Sequence, residues 1–305
     1  MRRLNLQLLV VISTSIGAVA CGESSSTTRS PAAHDPVTDS SQPAGNVVEA
    51  EENPDAVTAD VSRWPAPLAA LDPTTPANWT VDVIAVAPHD PDAFTQGLEP
   101  LADGRLLEST GLRGRSEIRI VEPSSGDVIV ARSLEPEQFG EGVTVVNDTV
   151  VQLTWQEGKA RRWSLPELEP LDSFTYDGEG WGLCRLGDRL AMSDGTSVLQ
   201  WRDATTFALL ETVPVTMAGQ PVDQLNELEC VDGHVVANIW RSEKVVVIEP
   251  SGPVVAIIDA GPLVDAIGSD DPVREVLNGV AAHPNGTFSM TGKRWPIRFV
   301  VRVVA

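Results

Sequence analysis

Five short segments of this chain repeat one layout: FTQGLE (94–99), FGEGVT (139–144), EGWGLC (179–184), LNELEC (225–230) and LNGVAA (277–282). In each, a polar or aromatic residue stands just ahead of a Gly-apolar or Glu-apolar pair. Superposed, they place Gln96, Glu141, Trp181, Asn226 and Asn278 in one register, at spacings of 45, 40, 45 and 52 residues. A tight-turn signal follows every segment: Ala102-Asp103-Gly104, Asn147-Asp148, Gly187-Asp188, Asp232-Gly233 and Pro284-Asn285-Gly286. Beyond the turn a run leads to a second polar or aromatic end: ESTG (108–111), LTW (153–155), MSDG (192–195), NIW (238–240) or TGK (291–293). Each unit therefore opens with a hairpin that leaves one end of a sheet and returns to it 13 to 15 residues later.

Further β patterns fill each unit, such as SEIRIVEPSSGDVIVAR (116–132) and KVVVIEPSGPVVAII (244–258). Five units of about 45 residues, each with about four strands, fit an all-β, five-bladed β-propeller better than a sandwich. Long amphipathic helical stretches are missing from the pattern, which argues against α/β folds. The last unit ends in RFVVRVVA (298–305) with three strands of its own, while VDVIAVA (81–87) lies ahead of the first. The N-terminal strand is expected to complete the last blade, closing the ring and hiding its edges.

The opening MRRLNLQLLVVISTSIGAVAC (1–21) has two arginines, a short apolar stretch and then small residues. That is the layout of an export signal, too short to span a bilayer. Ala18-Val19-Ala20-Cys21 resembles a lipoprotein processing box, which makes Cys21 the expected lipidated first residue of the mature chain. Ordinary signal cleavage nearby is the alternative. Residues 22–75, rich in Ser, Thr, Pro, Ala and acids, hold too little large apolar surface to offset ordering entropy. They read as a disordered tether, leaving residues 76–305 as the domain. The expectation is an exported, monomeric cell-envelope lipoprotein that meets the membrane only through its lipid. The net charge of −21 argues against nucleic acid or an anionic membrane face as partner. Cys184 and Cys230 are one position out of phase in the aligned units. On neighbouring strands they would face opposite ways, so two buried thiols are expected; a disulfide, which export permits, is the alternative.

In a propeller the innermost strands line the axis, so equivalent hairpin starts converge on one mouth, and the returning ends reach the same face. Gln96, Glu141, Trp181, Asn226 and Asn278 are expected to form one ring there, with Trp155, Trp240, Asp194 and Lys293 beside it. The glycines around Glu141 let backbones approach closely. A blander arrangement has the tryptophans filling the funnel and Glu141 salt-bridged to Lys293. The convergence of one carboxylate, one lysine, amides and three indoles favours a functional pocket instead.

The motifs PHDPDAFTQGLE, STGLRGRSEIRIVEPSSGDV, FGEGVTVVNDTVVQLTWQEGKA, YDGEGWGL, LAMSDGTSVL, PVDQLNELEC, VVANIW, VLNGVAAHP and TGKRWP run in order across nearly all of residues 80–305. Together they resemble the plant and bacterial type of glutaminyl-peptide cyclotransferase (glutaminyl cyclase). The resemblance implies a five-bladed propeller that converts N-terminal glutamine of peptides or proteins to pyroglutamate, an acyl transfer that releases ammonia without a cofactor. It implies Glu141 as the acid/base residue and Lys293, Gln96 and Asn226 as polar pocket residues. Trp155, Trp181 and Trp240 would be the aromatic ones. Arg113 stands where an aromatic is expected, and Cys184 and Cys230 replace more usual Thr and Tyr. These departures bear on substrate preference more than on the reaction.

The residue types suit such a cyclisation. Its nucleophile is already tethered, so the catalyst must chiefly restrict conformation, which indoles can do while a carboxylate carries the proton. A tryptophan-walled pocket would raise the pKa of that carboxylate and Lys293 would lower it. His34, His89, His234 and His283 lie apart from one another and from cysteines at ligand spacing, so no zinc motif is present; His89 is expected to cap a turn. The competing reading is a non-catalytic envelope propeller that binds a peptide or saccharide. A quinone-dependent dehydrogenase is weaker, because its axis would need a cation and more basic ligands.

Overall fold

The structure, a computed structural model, describes residues 62–271 and 273–305. Cys21, the leader and residues 22–61 of the tether lie outside the described residues. The observed fold is all-β. β1 (Ala77–Pro88) precedes a sheet of β2 (Thr95–Pro100), β3 (Leu106–Thr110), β4 (Glu117–Val121) and β5 (Val128–Ser133), which pair in sequence order. The second sheet is β6 (Gly140–Val146), β7 (Thr149–Thr154), β8 (Lys159–Ser164) and β9 (Pro170–Thr175). The third is β10 (Leu183–Leu186), β11 (Arg189–Met192), β12 (Val198–Asp203) and β13 (Leu209–Pro214), followed by a small hairpin of β14 (Thr216–Met217) and β15 (Gln220–Pro221).

The remaining strands build one eight-stranded sheet. β16 (Leu225–Val231), β17 (His234–Ile239), β18 (Lys244–Ile248) and β19 (Val254–Asp259) form one half. β20 (Leu277–Ala282), β21 (Phe288–Gly292) and β22 (Ile297–Val304) form the other, and β1 lies between β19 and β22. β1 pairs antiparallel with β22 over Thr80 to Pro88 and parallel with β19 over Ala77 to Thr80. The first and last of the described strands are thus neighbours.

The opening strands of these units pack in a closed cycle: β2 on β6, β6 on β10, β10 on β16, β16 on β20, and β20 back on β2. Side chains alternate faces along a strand, so each sheet buries one layer against its predecessor and one against its successor. Leu107, Ile118 and Ile120 meet Val143, Val150 and Trp163 between the first two sheets, for example. Leu153 and Ala160 meet Leu190 and Met192 between the next two. The turns behave as their residues dictate. Asp232 and Gly233 both take positive φ, 51° and 78°, which suits a two-residue hairpin loop and which Asp and Gly tolerate.

Two expectations change. Residues 62–75, assigned above to the tether, pack on the domain: Trp64 and Leu68 are buried in the cluster that includes Trp79 and Phe288. The indole of Trp64 stacks on Trp79 at 5.8 Å and donates to Asp232 at 2.8 Å. Two large apolar anchors suffice to order a short polar segment. Secondly, Cys184 and Cys230 are joined by a disulfide, with Cα atoms 5.3 Å apart. They are not free thiols. Cys184 lies on β10 and Cys230 on β16, which face each other from successive sheets. The rule that out-of-phase residues point apart holds for hydrogen-bonded neighbours within a sheet, and these strands are not such neighbours.

Candidate active site

Four of the expected site side chains are aimed by an irregularity in their opening hairpins. The pairing register shifts between Thr95 and Gly97, Gly140 and Val143, Leu225 and Leu228, and Leu277 and Val280. Those shifts bracket Gln96, Glu141, Asn226 and Asn278. A bulge bends its strand and redirects a side chain that would otherwise join the pleat. In the third sheet, Trp181 lies two residues ahead of β10. The close approach expected around Glu141 is present: a Cβ on Gly142 would stand 2.5 Å from the Leu183 nitrogen, and Gly142 N–H donates to the Trp181 carbonyl at 2.6 Å.

A cavity of about 470 Å³ opens at this end of the cycle. Gln96, Glu141, Trp155, Trp181, Asn226, Trp240 and Lys293 all line it, together with Phe94, Phe139, Arg241, Val273 and Arg274. Asn278 lies behind this wall: its Nδ2 donates to the Thr95 carbonyl at 2.9 Å and to Gln96 Oε1 at 3.1 Å. Asp194 stands outside, accepting from Thr196 N–H at 3.0 Å and from Gln200 at 3.3 Å.

The floor is electrostatically unusual. Glu141 is 4% exposed and Lys293 5%. Burial pushes the Glu141 carboxyl well above its ordinary range, and the Glu179 and Glu157 carboxylates add to that. Lys293 and the Gln96 hydrogen bond pull the other way. Burial lowers Lys293 to about 8, against the opposing pull of Glu141. No ion pair joins the two among the described residues; the Lys293 Nζ instead sits 5.0 Å from the centre of the Phe94 ring. Glu141 accepts from Gln96 Nε2 at 2.8 Å. The walls are aromatic edges and faces: Trp181 meets Trp240 edge-on at 5.6 Å, and Phe139 meets Trp155 at 5.7 Å. A proton acceptor and a proton donor of displaced pKa, inside an indole-walled pocket, can exchange protons with a substrate near neutral pH.

The family model for glutamine cyclotransferase matches residues 56–303. The chain belongs to the glutamine cyclotransferase family. Among cyclotransferase relatives, the glutaminyl-peptide cyclotransferase of Arabidopsis thaliana is 34% identical over 227 residues, covering 73% of this chain and 71% of that one. The crystal structure of Myxococcus xanthus glutaminyl cyclase superposes with a TM-score of 0.70 at 37% identity, covering 75% of this chain and 98% of that one.

Several residues in and around this cavity carry no site expectation from the sequence. Phe94 and Phe139 belong to the same FTQGLE and FGEGVT segments and carried the same repeat signal. Glu179 opens EGWGLC in the same column as Phe94 and Phe139, two residues ahead of the ring position, where a carboxylate breaks the aromatic pattern. It accepts the indole N–H of Trp155 at 2.6 Å and of Trp181 at 2.9 Å. His89 caps no turn of its own PHDP segment; its ring reaches a distant one. It is buried, with Nδ1 2.6 Å from the Trp295 carbonyl and Nε2 3.0 Å from Glu108. Both partners only accept, so both ring nitrogens donate and the ring is an imidazolium. Burial opposes that charge, but Glu108 outweighs it and raises the His89 pKa. The ring thereby anchors the turn that carries Lys293.

Proposed function

We propose that this chain converts the N-terminal glutamine of peptides or proteins to pyroglutamate with release of ammonia, as a metal-independent acyltransferase with Glu141 as its acid/base residue. The observation that carries the reading is the single buried carboxylate on the pocket floor, hydrogen-bonded by Gln96 and walled by Trp155, Trp181 and Trp240. Family membership supports the reaction class. The scaffold in this reading is a five-bladed propeller whose eight-stranded sheet is two blades fused edge to edge, β1 serving as outer strand of the last. The closed cycle of five opening strands supports it.

In this mechanism the neutral α-amine of the substrate attacks the carbon of its own side-chain carboxamide. The new N–C bond closes a five-membered ring, and the amine proton passes to Glu141. The same carboxyl then protonates the departing nitrogen, the C–N bond breaks, and ammonia leaves with Glu141 again ionised. Lys293, Gln96 and Asn226 supply N–H groups to the oxygen that gathers negative charge. The tryptophans hold the chain folded for closure and exclude water. An α-amine with a pKa of about 8 is partly neutral at the working pH, and no step requires a metal.

The deciding experiment is ammonia release from a Gln-initiated dipeptide in the presence of a strong chelator. Turnover should persist there and vanish on the N-acetylated peptide. Zinc-dependent turnover would overturn the metal-independent chemistry, and binding without ammonia release would leave a peptide-binding propeller. The proposed setting remains the cell envelope, with a monomeric domain tethered through lipidated Cys21. Mass analysis of the mature N-terminus tests that anchor.

A further inference from the structure

All three pocket tryptophans are half-buried at the mouth, and two of them, Trp155 and Trp181, share a hydrogen-bond acceptor. Trp155 follows β7 and Trp181 precedes β10, so they belong to successive sheets. One oxygen serves both: Glu179 Oε2 accepts Trp155 Nε1 at 2.6 Å and Trp181 Nε1 at 2.9 Å. The other oxygen accepts Gln156 Nε2 at 2.9 Å. All three donors approach a carboxylate that can only accept. Burial alone would raise the pKa of Glu179, but these hydrogen bonds lower it, so the group stays ionised near neutrality. The bond to Trp181 also transmits to Trp240, which Trp181 meets edge-on with planes 85° apart.

We propose that Glu179 is a positioning residue: by accepting the indole N–H of both Trp155 and Trp181 it sets the angle between two walls of the substrate pocket. This rests on the cyclotransferase reading for its kinetic consequence, though not for its geometry. Glu179 touches neither the pocket floor nor the reacting atoms. It acts through the tryptophans, and it ties together by side chain two hairpin ends whose backbones meet in the bond from Gly180 N–H to the Trp155 carbonyl at 2.9 Å.

The test compares Glu179→Ala with Glu179→Gln. The glutamine keeps an oxygen where Oε2 stands, and Gln156 can turn its amide to meet the new NH₂, so the clasp survives without the charge. The alanine removes both. Loss of hydrogen bonds to a charged acceptor corresponds to about a ten- to hundredfold weakening. We expect KM for a Gln-initiated dipeptide to rise by that order in Glu179→Ala while kcat changes by less than about threefold. Glu179→Gln should keep KM within about threefold of wild type. The near-ultraviolet circular dichroism of the tryptophans should change in the alanine variant and return in the glutamine variant. Unchanged KM and spectrum in Glu179→Ala would overturn the proposal. So would equal damage in both variants, which would assign the effect to charge. If the wild type released no ammonia at all, the cyclotransferase reading would fall, and the spectral comparison would still decide whether Glu179 holds the indoles.

Discussion

Gln96 donates its side-chain amide to Glu141 at 2.8 Å across the gap between two opening hairpins. Its other end is fixed as well, because Asn278 donates to Gln96 Oε1 at 3.1 Å. An amide whose oxygen already accepts can present only its NH₂ to the carboxylate. Three residues from three hairpins therefore form one directional chain, Asn278 to Gln96 to Glu141, ending on the proposed proton carrier.

Replacing that carrier tests its role directly. Glu141→Gln is nearly isosteric and removes a charge that burial penalises, so the thermal midpoint should change little. Turnover should fall about a hundred- to ten-thousandfold, the usual cost of losing a general acid/base. A rate within tenfold of wild type would remove Glu141 from the mechanism.

Lys293 lowers the pKa of Glu141 through the cavity. Lys293→Met deletes that cation, so Glu141 should hold its proton to higher pH. The acid limb of the kcat/KM–pH profile should move upward, alongside about a hundredfold loss of rate from the missing N–H donor. An acid limb that stays in place would mean the limb belongs to another group.

Three further glutamates lie along the opening strands away from the pocket, Glu227 and Glu229 buried and Glu99 half-buried. Burial raises Glu99 to about 7 and Glu227 to about 8, with the Glu99 charge adding to the latter. Burial also holds Glu229 well above its ordinary range. Each folded pKa exceeds the ordinary 4.5, so the folded chain keeps protons that the unfolded chain has released. Their contribution to stability is complete below that value and is lost as pH rises through about 7 and then about 8. Thermal midpoints should decline across this window, and Glu227→Gln should flatten the decline. The same slope in the variant would show that Glu227 does not titrate there.

Reducing the Cys184–Cys230 bond, which spans 46 residues, frees a long loop in the unfolded chain. Loss of about 2–4 kcal/mol is expected. Cys184→Ala/Cys230→Ala, measured against wild type by denaturant unfolding, should show it in the midpoint. An unchanged midpoint would mean the crosslink adds nothing that the interface between β10 and β16 lacks.

Much of this was legible in the sequence because a hairpin repeat fixes register. Once Gln96, Glu141, Trp181 and Asn226 share a register, pocket membership follows from the topology, and so does that of Trp155, Trp240 and Lys293 at the returning ends. Asn278 obeyed the register too, yet sits behind the wall because Gln96 lies in front of it. Contacts made face to face between sheets were not legible, since side-chain alternation describes one sheet at a time. The Cys184–Cys230 bond is of that kind. So is the hold of Glu179 on two indoles, and the buried network of His89, Glu108 and Arg119, whose members come from separate segments. Trp64 escaped because composition averages over a segment, whereas one or two large anchors suffice to dock it.

The placement of β1 between β19 and β22 also orders events during synthesis. β1 is made before every other described strand, and its partners β19 and β22 come late in the chain. Val83, Ile84 and Val86, still half-exposed in the finished fold, must wait through the making of every intervening unit before β22 exists to pair with them. Long-range pairing of this kind is slow, and unpaired apolar strands invite association. A chain stalled before residue 297 has every opening hairpin and no clasp. Closure therefore depends on the eight residues of β22, without which the apolar stretch from Val81 to Pro88 has no antiparallel partner and β1 is held by its short parallel pairing with β19 alone.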